Sequence, residues 1–149
     1  MLKNDIQKFT SFDELGLNNN LLKGIYSYGF EKPSKIQEIA IKPFVNKNDI
    51  IAQSQSGTGK TGSFLISTIE LLLKKDNNIK NEALIIAPTR ELAIQINNVT
   101  NELIKYTDLK SNVFIGGTTV NYENDNNISI GTPGRIFDLL KKNILPSNN

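Results

Sequence analysis

Ser54-Gln-Ser-Gly-Thr-Gly-Lys-Thr61 is the stretch on which the reading of this chain turns. A short apolar run, Asp49-Ile-Ile-Ala-Gln53, leads into it and predicts a strand. Thr61 to Leu73 leads out with the spacing of a helix. A strand, a Gly-rich turn ending in Gly-Lys-Thr and a helix make the setting in which a phosphate-binding loop is credible. Gly57 and Gly59 let the backbone curl so that successive N–H groups point inward at phosphate oxygens. The helix that follows adds its positive N-terminal end. Lys60 would then reach the β- and γ-phosphates, and the Thr61 hydroxyl would hold Mg²⁺. Ser54 departs from the pattern, which has Gly at its first position. The plain alternative is a Gly-rich surface turn before a helix.

Working outward, Met1 to Thr10 reads as a mobile lead-in, which sets residues 1–11 apart from one domain over 12–149. Phe12 and Leu15 are isolated apolar residues. Asn18 to Asn20 offers N-caps for a helix carrying Leu21, Leu22, Ile25 and Tyr28, stopped by Gly29. Pro33-Ser34 opens a second helix, where Ser34 and Gln37 have capping-box spacing. Ile36, Ile39, Ala40 and Phe44 are expected on its buried side, with Pro43 straining or ending it. Beyond the loop, Phe64, Leu65, Thr68, Ile69, Leu71 and Leu72 are core candidates, and Lys74 to Asn81 is a polar connection. Ala83 to Ala87 reads as a parallel strand covered on both faces. Thr89 caps a helix from Arg90 to about Tyr106 with a Leu92, Ile96, Val99, Leu103 stripe. Asn112 to Ile115 is a strand, Tyr122 to Asn127 a loop, and Ile128 to Ile130 a further strand. Thr132-Pro133 then starts a helix bearing Ile136, Phe137, Leu139 and Leu140, which Pro146 ends. The alternation predicts an α/β fold with a mainly parallel sheet and helices on both faces. Such sheets bind ligands beyond the carboxyl ends of their strands. The phosphate loop, Pro88-Thr89-Arg90, Gly116-Gly117 and Gly131-Thr132-Pro133 all fall there. Taken one by one, each is equally well read as an ordinary turn.

The totals exclude several classes. No apolar run approaches the ~20 residues of a membrane span, and the N-terminus lacks the apolar core of a secretory signal. Zero Cys and zero His remove disulfides, thiolate metal sites and the commonest metal ligand. That fits a reducing compartment. A net charge of +2 permits a phosphate-bearing partner and is too mild to argue for one. Asn46-Lys-Asn-Asp49 matches a guanine-reading pattern, but it precedes the loop, at the wrong end of the expected strand.

Together these stretches resemble the DEAD-box RNA helicases, and most closely the branch of translation initiation factor 4A. Gly29-Phe-Glu-Lys-Pro-Ser-Lys-Ile-Gln37 is similar to that family's Q motif, and Phe12 to its isolated upstream aromatic. Ala52 to Thr61 resembles its first motif. Pro88-Thr-Arg-Glu-Leu-Ala93, Gly116-Gly117 and Thr132-Pro-Gly-Arg135 resemble three RNA-contacting motifs, in the family's order. The resemblance implies an incomplete RecA-like domain that binds ATP and Mg²⁺ and serves RNA unwinding. It implies that Gln37 reads the adenine edge, where the residues alone leave a capping role equally open. Phe12 would stack on the base, with Lys32 beside it. Ser56, Gly57, Thr58, Gly59, Lys60 and Thr61 would hold the phosphates, and Lys60 and Thr61 would serve catalysis. Pro88, Thr89, Arg90, Gly117, Thr132 and Arg135 would line a single-stranded RNA backbone without reading bases. For Arg90 and Arg135, pairing with carboxylates inside the domain is an equal alternative. A cytoplasmic or nuclear monomer with protein regulators is implied, free of membranes.

The chain also departs from the family. It contains no Asp-Glu-Ala-Asp, no Ser-Ala-Thr motif and no second RecA-like domain with arginine fingers. The stretch between Gly117 and Thr132 is short for the family. Alone, the 149 residues are expected not to hydrolyse ATP. The other readings are a non-catalytic ATP- or RNA-binding module, or a different P-loop ATPase or kinase.

Overall fold

The computed structural model describes residues 9–74, 83–117 and 126–145. The lead-in up to residue 8, most of the 74–81 connection, most of the 122–127 loop and Pro146 lie outside them. The chain forms two compact units, residues 1–75 and 76–149.

The first unit is helical and built on α3, Lys60–Leu73. Its buried side carries Leu65, Ile66 and Ile69 among smaller residues, Gly62, Ser63 and Ser67. Small residues let a neighbour approach closely. A Cβ on Gly62 would stand 2.6 Å from Gln37 Nε2 and 3.2 Å from the Phe30 ring. The helix bearing Gln37 is α2, Lys35–Val45. Pro43 does not end it; α2 runs on to Val45 and stops before Lys47, whose φ is 63°. So close to the C-terminus, the lost N–H removes one bond from a turn that already frays. The buried residues of α2 are Gln37 and Ile41, whereas Ile39, expected inside, is 43% exposed. The inward Gln37 turns the helix away from the side its aliphatic residues alone suggest.

Helix α1, Asn19–Ser27, starts as its sequence predicts, with Asn18 Oδ1 accepting the Asn20 N–H at 2.8 Å. Gly29 stops it with φ 97°. Glu70, a fully buried acid on α3, fastens α1 in place. Its Oε2 accepts the Asn18 N–H at 2.8 Å, and its Oε1 pairs with Lys74 at 3.1 Å. Phe9, inside the expected lead-in, is buried, and the Thr10 N–H and hydroxyl both donate to Glu14. Those two bonds hold the Glu14 carboxyl below its ordinary range. The tyrosyl hydroxyl of Tyr26 donates to Asp13.

The expected strand over 49–53 is absent. Ile51 there is fully exposed, and no described residue pairs with this stretch. A strand exists only through bonds to a neighbour, and the three strands among the described residues lie in the second unit.

That unit holds a parallel sheet in the order β1-β3-β2: β1 Ala83–Ile86, β2 Ser111–Phe114 and β3 Ile128–Gly131. Every residue of β3, the middle strand, is buried. The register aligns Phe114 with Gly131 and Ser111 with Ile128. Side chains alternate across a strand, so Ser111 and Phe114 face opposite sides. Ser111 Oγ meets Asn97 and Asn101 of α4, Arg90–Ile104. Phe114 packs with Ile136, Leu139 and Leu145, of which the first two belong to α5, Pro133–Lys141. Helices therefore cover both faces, as expected. Ala93, Ile96, Thr100, Leu103 and Ile104 are the buried side of α4. Phe137 is 63% exposed, because Ile136 and Leu139 take the inward side of α5. β1 pairs with β3 alone among the described residues, and its Leu84 and Ile86 are about half exposed. No helix among the described residues is long and apolar enough to cross a membrane.

Candidate functional site

In the first unit, the loop over 54–59 ends at the N-terminus of α3. Gly57 and Gly59 are both left-handed, with φ 78° and 97°, a region costly for other residues. Gly59 is also hemmed in, since a Cβ there would meet Ser34 Oγ at 2.7 Å and Gln37 Nε2 at 3.0 Å. A Cβ on Gly57 would meet nothing within 4 Å. The Lys60 ammonium turns back into the loop and donates to the carbonyls of Ser54, at 2.5 Å, and Gln55, at 2.6 Å. The Thr58 hydroxyl donates to Gln55 O at 2.7 Å and stands 2.6 Å from Ser54 Oγ. Thr61 follows in the first turn of α3, half-buried, and Ser56 is exposed.

Gln37 makes two hydrogen bonds, one of them the capping contact that its spacing predicts. Its Oε1 accepts the Ser34 N–H at 2.8 Å, the capping-box contact. Its Nε2 donates to Gly59 O at 3.3 Å, which ties α2 to the phosphate loop. A carboxamide has two lone pairs and two N–H groups, so one of each is left for a ligand. Phe12 is placed differently from the expectation of a base-stacking face. It is fully buried, with its ring centroid 6.2 Å from Tyr26 and 6.3 Å from Phe30, and protein occupies the space a base would need. Phe30, half-buried against Gly62 and 4.9 Å from Tyr28, is the aromatic nearer the loop helix. Lys32 is exposed in the segment before α2. The approach of Ser34 to Gly59, that of Phe30 to Gly62 and the Ser54–Thr58 contact escaped the sequence reading. Only the last had a signal, two hydroxyl residues four apart inside the motif.

In the second unit, the three strands end on one rim, where their exits are laced together. The Ala87 N–H donates to Gly131 O at 2.9 Å, and the Thr132 N–H to Phe114 O at 3.2 Å. Thr89 caps α4 through the Leu92 N–H at 3.2 Å, and Thr132 is the N-cap of α5. Pro88 and Arg90 are exposed at the exit of β1. The Arg90 guanidinium reaches across to the exit of β2, where a Cβ on Gly116 would stand 2.9 Å from it and one on Gly117 3.7 Å. Gly117 is left-handed at φ 86°. Arg135 sits in the first turn of α5 and pairs with Asp138 at 3.1 Å, so the intradomain alternative is realised for this residue. Asp138 also binds Lys142 at 2.8 Å. The Lys142 hydrogen bond first, then the charges of Lys142 and Arg135, hold its carboxyl below the usual range. Among the described residues, no group of three His, Cys, Asp or Glu side chains gathers to hold a metal ion.

The chain is similar over most of its length to known proteins. The model of the DEAD/DEAH box helicase family matches residues 34–148. A protein of Yarrowia lipolytica named ATP-dependent RNA helicase eIF4A is 48% identical over 145 residues, 93% of this chain and 36% of that protein. Eukaryotic initiation factor 4A of Drosophila melanogaster is 46% identical over 143 residues, 92% and 35% of the two chains. The chain thus spans about a third of the length of these relatives. Among solved structures, a DEAD box protein of Methanococcus jannaschii superposes with a TM-score of 0.85 at 39% identity, over 94% of this chain and 39% of that one. Saccharomyces cerevisiae Dbp5 bound to RNA and ADP BeF3 gives 0.84 at 39% identity, over 93% and 36%. With the loop, the tied Gln37 and the parallel sheet in place, these matches show that the chain belongs to the DEAD/DEAH box helicase family.

Proposed function

We propose that this chain is the nucleotide-binding part of an ATP-dependent RNA helicase and occupies residues 12–149 as one RecA-like domain. The observation that carries the reading is the junction of Gln37 with Gly59, which joins an adenine-reading amide to a phosphate loop at a helix N-terminus. Gly57, Gly59 and Lys60 fit a polyphosphate, through backbone N–H groups and one flexible cation. Ser56 and Thr58 line the same loop, and the Thr61 hydroxyl is the proposed Mg²⁺ ligand. Lys60 and Thr61 are the residues through which this chain would take part in phosphoryl transfer. A factor of cytoplasm or nucleus, working as a monomer with protein regulators, is part of the same proposal.

Calorimetric titration with ATP and GTP tests the reading. The parent chain is expected to prefer ATP, and Gln37→Ala to erase the preference more than the affinity. Equal affinity of the parent for both nucleotides sinks the adenine role and leaves Gln37 a capping residue.

Pro88, Thr89, Arg90, Gly117, Thr132 and Arg135 are proposed to hold single-stranded RNA by its backbone. The laced strand exits and the two helix N-termini on that rim support this. Affinity should then vary little with base sequence and fall with added salt. Arg135→Ala is expected to weaken binding to mixed-sequence RNA and to lower the salt slope by about one. An unchanged slope ends the assignment of Arg135. A non-catalytic reading of the isolated chain is favoured by its lack of an Asp-Glu-Ala-Asp stretch. Without those carboxylates and an arginine finger, itself worth about 10³ to 10⁵ in rate, turnover by the 149 residues alone is not expected.

A further inference from the structure

We propose that Ser54 latches the phosphate loop shut on its own lysine and thereby sets how tightly and how fast the loop takes nucleotide phosphates. The inference rests on the nucleotide-binding reading and adds a residue outside the phosphate-contacting set.

Hydrogen counting gives the direction of the bonds. A hydroxyl has one proton to donate. Thr58 spends its proton on Gln55 O, so across the 2.6 Å contact Ser54 is the donor and Thr58 Oγ1 the acceptor. The Lys60 ammonium then closes the ring on the carbonyls of Ser54 and Gln55. In this state the loop presents two carbonyl oxygens inward and has neutralised them with its cation. A phosphate is negative and needs N–H groups in that place, so its arrival requires these carbonyls to turn away and the lysine to be released.

The freedom for that turn is local. Gly59 is wedged against Ser34 and Gln37, whereas Gly57, also left-handed, has open space around it. Movement therefore belongs to residues 54–58, the span that the Ser54–Thr58 bond bridges. The general motif has glycine at position 54, so a hydroxyl there is not part of what holds phosphate. Its one bond favours the closed loop and makes no contribution to the open one. A ligand binds more weakly, by that fraction, to a protein whose competent state is only partly populated. One net intramolecular hydrogen bond is worth about threefold to tenfold in such an equilibrium.

The test compares the parent chain with Ser54→Ala and Ser54→Thr. Without nucleotide, acylation of the Lys60 amine by an amine-reactive ester, followed by mass spectrometry, should run several-fold faster in Ser54→Ala. ATP and inorganic tripolyphosphate should both bind Ser54→Ala about threefold to tenfold tighter, mainly through a faster association rate. Ser54→Thr keeps the hydroxyl and should behave as the parent. A merely structural serine predicts the opposite sign, weaker binding from a loosened site. Unchanged Lys60 reactivity, or equal or weaker affinity in Ser54→Ala, overturns the latch. Faster acylation with no ATP binding by any of the three chains would overturn the nucleotide reading instead.

Discussion

Lys60→Ala is expected to lower the affinity for ATP by at least about a hundredfold. In the free chain the ammonium makes two hydrogen bonds, both to neutral carbonyls of its own loop. With a nucleotide bound it trades them for phosphate oxygens, which carry the opposite charge. Hydrogen bonds to charged groups contribute about 1.5–3 kcal/mol each, and 1.4 kcal/mol is a factor of ten, so losing two exceeds a hundredfold. Removing the lysine also frees the closed loop, which offsets part of the loss and keeps the expectation at the lower bound. Titration of a fluorescent ATP analogue gives the number. A dissociation constant within about threefold of the parent's would mean that the loop binds no phosphate and is a turn before a helix.

The second large effect is on stability. Gly131→Ala places a methyl group 2.5 Å from Phe114 O and 2.7 Å from Ile136 Cδ1. The first of these is backbone of the neighbouring strand and cannot step aside as a side chain can. Overpacking of this kind typically costs about 1–3 kcal/mol. In a unit of this size each kcal/mol lowers the thermal midpoint by roughly 4–8 °C. Gly131 O also accepts the Ala87 N–H, and Thr132, next in sequence, donates to Phe114 O. The strain is therefore delivered to all three strand exits together. A melting curve followed by circular dichroism checks the midpoint, and an unshifted transition would show that α5 moves off the sheet at no cost.

Helix ends were legible before the structure because their causes are local. Asn18, Thr89 and Thr132-Pro133 sit where their capping chemistry puts them, and Gly29 takes the left-handed turn expected of it. The Ser34–Gln37 spacing was read correctly, and the bond from Gln37 to Gly59 was not, because 22 residues separate the partners. Long-range causes account for the other differences. Ile50 and Ile51 have the composition of a strand, and no described residue pairs with them. Glu70 is buried where Asn18, far off in sequence, offers it an N–H, a partner that local spacing does not reveal. Phe12 stands alone in the sequence, yet Tyr26 and Phe30 close around it in space. Ile39 and Phe137 belong to apolar stripes whose inward directions were set by Gln37 and by Ile136 with Leu139, so each faces water.

The outer margin of β1, unpaired among the described residues, bears on how the isolated chain behaves in the tube. Unpaired N–H and C=O groups along an edge invite a strand from another molecule, and exposed aliphatic side chains strengthen the invitation. Leu84 and Ile86 are both aliphatic, and β1 itself has no lysine, glutamate or proline to blunt the pairing. A net charge of +2 adds little mutual repulsion between molecules. Crowding the sample is thus expected to drive copies toward edge-to-edge pairing along β1.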